Sequence, residues 1–429
     1  MHKAIQSQFF KALAWNGASY SFYKITNTLF TFILFQKFST ELFSAWALTH
    51  SIIFLVLLLL DGGLRKSIPY FVQQFSYSTY VHRLFILSTL AAQIVLLLFL
   101  GIPLIVIGSH YFFPLSLYNN FYWYLISIFL VEGVMSLLNT LYQAHFLQNI
   151  FGFIYIIALA AETIANFLVL YFYAGINQQD LLFIFFNNKI ISRFIVIIIS
   201  LAMAHKLTHQ HKALIKKQSK PLLTRLFIDF GKHTLIMWAT TLAKSLSERN
   251  FLLLLFTKLL GPVTANLFKI SHDSTLLLQR IVIKTIGVSD TALLAQVQSH
   301  QPEKVQDAFL LLSKTIFRLI VPFVSIALLF VFYKTYSHQN SLAMLCIMLI
   351  FIISYCIEII LSPYERLLET NKLYSALAKS YAVYFVIFFG ATLSFFCFKY
   401  CFIFYLLIVQ ASRVISSFLM RYYVQKLLI

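Results

Sequence analysis

Basic side chains recur inside long apolar segments of this sequence, where an ionised group costs about 2.5–3.5 kcal/mol on insertion scales. Lys24 and Asn27 share one helical face, Lys244 and Arg249 lie close together, and Lys269, Asp273 and Arg280 fall along one stripe. Such residues should face an aqueous cavity or an opposite charge. A cavity rich in Lys and Arg would bind an anionic group such as phosphate, and the candidate residues for it are Lys24, Asn27, Lys244, Arg249, Arg280 and Arg318. The alternative is internal salt bridging, for example of Lys244 with Glu248 and of Lys269 with Asp273.

Acidic side chains in the apolar segments form a second candidate set. A buried carboxylate could change its protonation and couple to an ion, or it could bridge a basic residue, as Glu162 could bridge Arg193. We favour the bridge and leave ion coupling open for Asp61, Glu132, Glu162, Asp273 and Glu358. Asp61 begins the motif DGGLRK at the end of an apolar segment, where two glycines permit a bend.

Composition identifies the solvent in which these charges must be placed. Hydrophobic residues make up 60% of the 429 positions and charged residues only 11%, whereas a soluble domain carries roughly 25% charged residues. The exterior must therefore face lipid. The net charge of +19 does not indicate nucleic-acid binding, because the basic residues lie between apolar segments or singly within them.

Apolar segments of about 20 residues, each long enough to cross a bilayer, follow one another along the whole chain. We predict an all-α integral membrane protein of about twelve spans, at residues 13–35, 43–64, 84–107, 121–144, 151–173, 181–204, 226–256, 263–286, 308–333, 341–361, 374–398 and 401–422. If the N-terminus is cytoplasmic, the outer loops hold only Lys37, Lys258, Lys334 and Lys399, and the other basic loop residues lie inside. This bias predicts that both termini are cytoplasmic.

A basic connector near the midpoint, HKLTHQHKALIKKQSKP, divides the spans into six and six. We therefore predict an N-terminal lobe (1–204), a cytoplasmic linker (205–221) and a C-terminal lobe (222–429). A short match between LFQKFSTELFSAWAL (34–48) and LFTKLLGPVTANLFK (255–269) supports this division, and an even number of spans in each half makes the two repeats parallel.

No motif in the sequence predicts a cofactor. The four cysteines Cys346, Cys356, Cys397 and Cys401 lie in or beside apolar helices and lack the spacing of a zinc site. A nucleotide-binding glycine loop, a metal cluster and a catalytic triad spacing are also missing from the sequence. We therefore expect neither a metal nor direct use of ATP, and we do not expect an enzyme.

The chain resembles the polysaccharide-exporter branch of the multidrug/oligosaccharidyl-lipid/polysaccharide (MOP) superfamily, which includes the O-antigen flippases. KALAWNGASYSFYKITNTLFTFILFQKFSTELFSAWAL looks like the opening of that family, and LLLLDGGLRKSIPYFV is similar to its D-x-G-L signature. The turn after the first span usually reads Leu-Gly, and here it is Phe38-Ser39, whereas the second half keeps Leu260-Gly261.

The resemblance implies a MATE-like fold of two six-helix lobes in the bacterial cytoplasmic membrane. It also implies a flippase that moves a polyprenyl-pyrophosphate-linked oligosaccharide outward by alternating access. The partners would be this substrate, the membrane lipids and the polysaccharide polymerase machinery, and not nucleic acid.

Two other functions stay open. A MATE-type exporter of drugs or organic cations should have a site dominated by carboxylates and aromatic residues, whereas these stripes are net basic. A polysaccharide polymerase or ligase usually presents a large outer loop with catalytic Arg or His, but the longest outer loop here, GSHYFFPLSLYNN (108–120), has one His and neither Lys nor Arg.

Overall fold

The chain is seen in a computed structural model. It describes residues 3–75, 79–112, 121–145, 147–172, 175, 177–203, 223–245, 249–273, 294, 297, 305–337, 341–371, 373–398 and 401–428. Within these ranges all regular secondary structure is helical. An all-helical fold suits a membrane protein, because a helix satisfies every backbone hydrogen bond within its own segment.

The first half of the sequence holds α1 (Lys3–Lys37), α2 (Thr40–Leu60), α3 (Leu64–Phe75), α4 (Thr79–Leu96), α5 (Ile102–Phe112), α6 (Phe121–Ala144), α7 (Gln148–Phe172) and α8 (Gln178–Ala202). A π-helical turn, Leu97–Gly101, joins α4 to α5. The second half holds α9 (Leu223–Ser245), α10 (Arg249–Leu260), α11 (262–273), α12 (Val305–Ser337), α13 (Ser341–Thr370), α14 (Tyr374–Phe398) and α15 (Phe402–Leu428).

Much of the chain consists of helices that could span a membrane. In the described part, eight helices are long and apolar enough to cross a bilayer: Thr40–Leu60, Tyr80–Phe112, Phe121–Ala144, Asn149–Phe172, Gln178–Ala202, Leu345–Thr370, Tyr374–Cys397 and Phe402–Lys426. Large apolar side chains such as Tyr171, Phe99 and Val386 are at least 70% exposed, which suits a lipid-facing exterior. The predicted multi-pass, all-α membrane fold is confirmed, and the number twelve stays a prediction.

The predicted span 226–256 corresponds to two helical ranges, α9 and α10, on either side of three residues that the structure does not describe. The predicted second span also ends earlier than 64, because α2 ends at Leu60 and the chain turns at Gly62 and Gly63, whose φ angles are 55° and 78°. Only glycine adopts this left-handed region readily. The amphipathic helix α3 follows this turn at once.

The structure divides into two compact units. We call Leu29–Ala239 with Leu253–Val263 the N-terminal unit, and Met1–Thr28, Thr240–Leu252 and Thr264–Ile429 together the C-terminal unit. The predicted lobe boundary at 205–221 falls outside the described residues, so the division into 1–204 and 222–429 stays a prediction.

In the N-terminal unit, α6 packs against α2, α3, α4, α7 and α8, and it therefore lies at the centre of the core. The turn before α2 is held by α8: the Gln178 side chain accepts from the Ser39 N–H and donates to the Lys37 carbonyl, both at 3.1 Å. Ser39 also caps α2, because its side chain accepts from the Leu42 N–H. In the C-terminal unit, α15 packs against both α13 and α14, and α12 packs against α13.

Candidate functional site

Arg193 lies at the centre of an ion cluster in the N-terminal unit and is 1% exposed. Its Nε donates to Glu132 Oε1 at 3.2 Å, and its Nη1 donates to Glu162 Oε2 at 2.8 Å. Lys189, one turn earlier on α8, places its Nζ 3.3 Å from the same Glu132 oxygen. The cluster therefore joins α6, α7 and α8 and contains two positive and two negative side chains.

The guanidinium of Arg193 makes two further contacts, a hydrogen bond and an aromatic contact. Its Nη1 also donates to Ser192 Oγ at 3.1 Å, and the Tyr155 ring centroid lies 5.2 Å from its central carbon. A buried charge is tolerated only when it is paired and its remaining donors are bonded. Glu162 and Arg193, which the sequence analysis named together, are thus bridged, and Glu132 shares the same arginine.

A second ion pair lies inside the C-terminal unit. Nη2 of Arg413 on α15 donates to both carboxylate oxygens of Glu358 on α13, at 2.9 and 2.8 Å. Both residues are buried, and the Tyr355 ring lies 5.5 Å from the guanidinium carbon. The Tyr355 hydroxyl in turn forms a 2.8 Å hydrogen bond with Nε2 of His272 on α11.

A small polar cavity adjoins this second pair. Its volume is about 20 Å³, which is enough for water. It is lined by Glu358, Glu365, Tyr381, Tyr384, Arg413, Ser416, Ser417 and Met420. The Tyr381 hydroxyl donates to Glu365 Oε1 at 2.6 Å. Glu365 and Tyr381 are not among the predicted site residues, because neither belongs to a distinctive pattern in its own helix.

The glutamates of the two clusters occupy repeated positions in the sequence. In the turn between α6 and α7, the His145 and Leu147 N–H groups bond to the Leu141 and Tyr142 carbonyls. In the turn between α13 and α14 the same two bonds occur on atoms 226 residues later, from Asn371 and Leu373 to Leu367 and Leu368. Glu132 and Glu358 are separated by the same 226 residues. This repetition supports the parallel repeats that the sequence analysis inferred.

The same register shows how the clusters differ. At this spacing Phe388 stands where Glu162 stands in the first half. Arg413 follows Arg193 by only 220 residues, so the two arginines are six residues out of this register, and four residues before Arg413 the chain has Val409 where the first half has Lys189. The second cluster thus lacks one positive and one negative charge together. Within the ion pairs themselves the numbers of carboxylates and basic groups are equal in each cluster, whereas the buried Glu365 beside the second pair bonds to the Tyr381 hydroxyl.

The remaining acidic candidates also have basic partners. Asp61 accepts from Arg65 Nε at 2.9 Å, across one turn at the start of α3. Asp273 pairs with Lys269 at 2.9 Å on α11, and both side chains are buried. The pairing of Lys269 with Asp273 is the arrangement named above as the alternative to a cavity at that stripe.

The structure describes only part of the predicted anion-binding set. Asn27 is half-buried on α1, and Arg318 is exposed on α12. Arg280 and the side chains of Lys24, Lys244 and Arg249 lie outside the described residues. The structure therefore does not test whether these six residues act together, and the cationic cavity stays a prediction. In the described part no group of three or more His, Cys, Asp or Glu side chains could hold a metal ion.

The fold is identified by its similarity to solved structures. Neither a family model nor a curated protein matches the sequence. Among solved structures, a mutant of the MATE transporter VcmN from Vibrio cholerae aligns with a TM-score of 0.69 over 99% of this chain and 98% of its own, at 10% identity. The fold is that of the MATE-like membrane transporters.

Two further solved structures also align with nearly the whole chain. A eukaryotic MATE transporter, AtDTX14, aligns with a TM-score of 0.67 at 15% identity, over 97% of this chain and 95% of its own. A MOP superfamily transporter from Pyrococcus furiosus aligns with a TM-score of 0.64 at 13% identity, over 99% of this chain and 98% of its own. The whole chain therefore corresponds to one MATE-like transporter fold, as the sequence analysis expected.

Proposed function

We propose that this protein is a flippase that moves a polyprenyl-pyrophosphate-linked oligosaccharide from the cytoplasmic to the outer leaflet of the bacterial cytoplasmic membrane by alternating access. The MATE-like fold supports transport by rocking of two halves about a central site. The fold fits a drug exporter equally well, so the substrate has to be argued from charge.

The pairing of four of the candidate carboxylates carries the argument. Glu132, Glu162, Asp273 and Glu358 each bond to a Lys or Arg side chain. The whole chain holds 33 Lys and Arg residues but only 14 Asp and Glu. A site for organic cations needs carboxylates that are not already neutralised, whereas a site for a pyrophosphate needs surplus basic groups. The charge balance of this chain favours the anion.

A structural neighbour shows that the fold accepts more than one polarity. The Pyrococcus furiosus transporter is described as having a binding pocket of reverse polarity, which suggests a different function for it. A net basic site in a MATE-like fold is therefore chemically reasonable.

The residues that we propose for contact with the pyrophosphate or an acidic sugar are the predicted set. Lys244, Arg249, Arg280 and Arg318 would supply charge-assisted hydrogen bonds to phosphate oxygens. Lys24 and Asn27, which share a face of α1, would contribute one further charge and one neutral donor.

The experiment that tests the function is deletion of the gene in its host. Deletion should cause lipid-linked oligosaccharide to accumulate on the cytoplasmic face, and the wild-type chain should reverse this. A variant combining Lys24→Gln, Lys244→Gln, Arg249→Gln and Arg280→Gln should insert normally but fail to restore export. Lys37→Gln is the matched control, because Lys37 is an exposed lysine at the outer end of α1.

The other functions predict different results. If the protein is a cation exporter, deletion will raise drug susceptibility and leave the lipid-linked oligosaccharide unchanged. If it is a polymerase or ligase, deletion will leave single repeat units on the outer face. Full export by the multiple Lys/Arg→Gln variant would reject the cationic site.

A further inference from the structure

Helix α3 packs along the first part of α9 within the N-terminal unit. We call the contacts between residues 59–75 and residues 227–238 the α3–α9 seam. The seam joins the first half of the sequence to the first helix of its second half. It lies beside Asp61, at the end of α2 that the basic residues assign to the cytoplasmic side.

Gly63 sets the closest approach in the seam. A β-carbon at this position would lie 2.1 Å from the Thr234 carbonyl oxygen and 2.6 Å from the Trp238 backbone nitrogen. These are backbone atoms of α9, so they cannot turn away as the end of a side chain could. The seam therefore closes only because residue 63 has no side chain.

Two side-chain hydrogen bonds hold the seam together. The indole N–H of Trp238 donates to the Leu59 carbonyl at 2.8 Å. Leu59 lies in the last turn of α2, where carbonyls have no partner within the helix. Further along, Ser67 Oγ and His233 Nδ1 form a buried 2.9 Å hydrogen bond. Both bonds are of the kind that can be exchanged for bonds to water at modest cost.

Aromatic rings complete the contact, and they differ between the two sides. Phe71 and Phe75 of α3 are fully buried, whereas Phe230 and Phe227 of α9 are only partly buried and pack on the outside of the core. Tyr70 stacks on His233 with ring centroids 5.2 Å apart and planes 9° apart. Phe227 and Phe230 thus pack against the core from outside, whereas Leu226 of α9 is part of the core and His233 is buried.

From these contacts we propose that the α3–α9 seam is the cytoplasmic gate of the transporter, closed in this structure and released once in every transport cycle. This inference rests on the proposed alternating-access function. Alternating access requires the two sequence halves to separate on the cytoplasmic side. Gly63 permits the closure, and the Ser67–His233 and Trp238–Leu59 bonds hold it.

A reversible cross-link tests the gate. Ser67→Cys and His233→Cys are combined in a chain whose four native cysteines are replaced by Ser, and a short bis-methanethiosulfonate reagent joins them through two disulfide bonds with loss of two sulfinate groups. Cross-linking should abolish export of the lipid-linked oligosaccharide, and reductant should restore it. Tyr124→Cys with Asn187→Cys is the matched control pair. Asn187 donates to the Tyr124 hydroxyl at 3.4 Å between α6 and α8 of one sequence half, so a cross-link there should leave export intact.

Two neighbouring glycines distinguish the effect of blocked closure from the effect of backbone strain. Gly62 and Gly63 both have positive φ, but a β-carbon at Gly62 would meet only the Leu60 carbonyl, at 4.0 Å. Gly63→Ala should therefore prevent closure, slow the cross-linking of Ser67→Cys to His233→Cys and reduce export. Gly62→Ala should cross-link as fast as the parent chain.

Pulsed electron paramagnetic resonance supplies a readout that needs no substrate. Spin labels at the exposed positions Tyr80 and Ile228 should give a short and a long distance in lipid nanodiscs, with Gly63→Ala shifted to the long one. Undiminished export by the cross-linked chain, or one short distance in both the parent and Gly63→Ala chains, would show that the seam is permanent and overturn the gate. The proposed function fails separately, if deletion of the gene does not change the lipid-linked oligosaccharide.

Discussion

Replacing Arg193 with Met should be among the most destabilising single changes in the N-terminal unit. Arg193 is fully buried and holds Glu132 and Glu162 at 3.2 and 2.8 Å. Met is unbranched and apolar but shorter than Arg, so the change removes the charge and the guanidinium donors and leaves a small space at the end of the side chain. Removing one partner of a buried ion pair typically costs about 3–5 kcal/mol, because the other charge stays buried. We expect a loss in this range.

The charge-balanced double variant provides the stricter test. Arg193→Met with Glu162→Met leaves Glu132 paired with Lys189, so equal charges remain. The second half of the chain already has an apolar residue, Phe388, at the position of Glu162. We therefore expect the double variant to be more stable than Arg193→Met alone, by about 0.5–3 kcal/mol, the usual size of coupling between residues in contact.

The assay is the free energy of unfolding in mixed micelles titrated with sodium dodecyl sulfate, with helix content as the signal. Arg83→Met is the control for loss of an arginine as such, because Arg83 is exposed, and it should change stability by less than about 0.5 kcal/mol. The reasoning is refuted if Arg193→Met costs no more than Arg83→Met. It is also refuted if adding Glu162→Met lowers the stability further.

Two further predictions use the same titration. Gly101→Ala should destabilise the chain by about 1–3 kcal/mol, because the new β-carbon would lie 2.2 Å from Cζ of the fully buried Phe129 ring. Tyr381→Phe should cost about 1–3 kcal/mol, because it removes the 2.6 Å hydrogen bond to the buried Glu365 carboxylate without changing the ring.

Each of these two predictions has a control on the same chain. Gly108→Ala should be nearly neutral, because its β-carbon would meet only Ile52 Cγ2, at 3.4 Å. Tyr422→Phe should also be nearly neutral, since Tyr422 is 53% exposed. If a variant and its control lose equal stability, the close packing at Gly101, or the hydrogen bond of Tyr381, does not make the expected contribution to stability.

Span positions could be predicted from the sequence because hydropathy depends on composition along the chain. The predicted spans 121–144 and 374–398 match the helices Phe121–Ala144 and Tyr374–Phe398. Helix α3 was missed because it is short and not apolar on average. Its buried residues Ile68, Phe71 and Phe75 follow the three- and four-residue spacing of an amphipathic helix, so the pattern was present but too short for a spanning segment.

The partners of the charged residues were harder to predict. Hydropathy shows that Glu132, Glu162 and Arg193 lie at membrane depth, but it does not show which faces of three separate helices meet. Arg193 has a carboxylate partner 31 residues away and another 61 residues away. Only the packing of α6, α7 and α8 decides that both reach one guanidinium. The sequence could therefore name one pair and not the whole cluster.

The repeated Glu–Arg pair limits which charges can serve a substrate. In both halves a glutamate on the fourth-span helix, α6 or α13, meets an arginine on the sixth-span helix, α8 or α15. The neighbours of this pair are charged in the first half and apolar in the second. The packing of each three-helix group therefore explains the pair, and no ligand is required. Removing Lys189 and Glu162 together leaves a single Glu–Arg pair, which is the arrangement that the second half already has. Substrate contacts should therefore be sought among basic residues that these pairs do not use, and Lys244, Arg249, Arg280 and Arg318 are the residues that we propose for them.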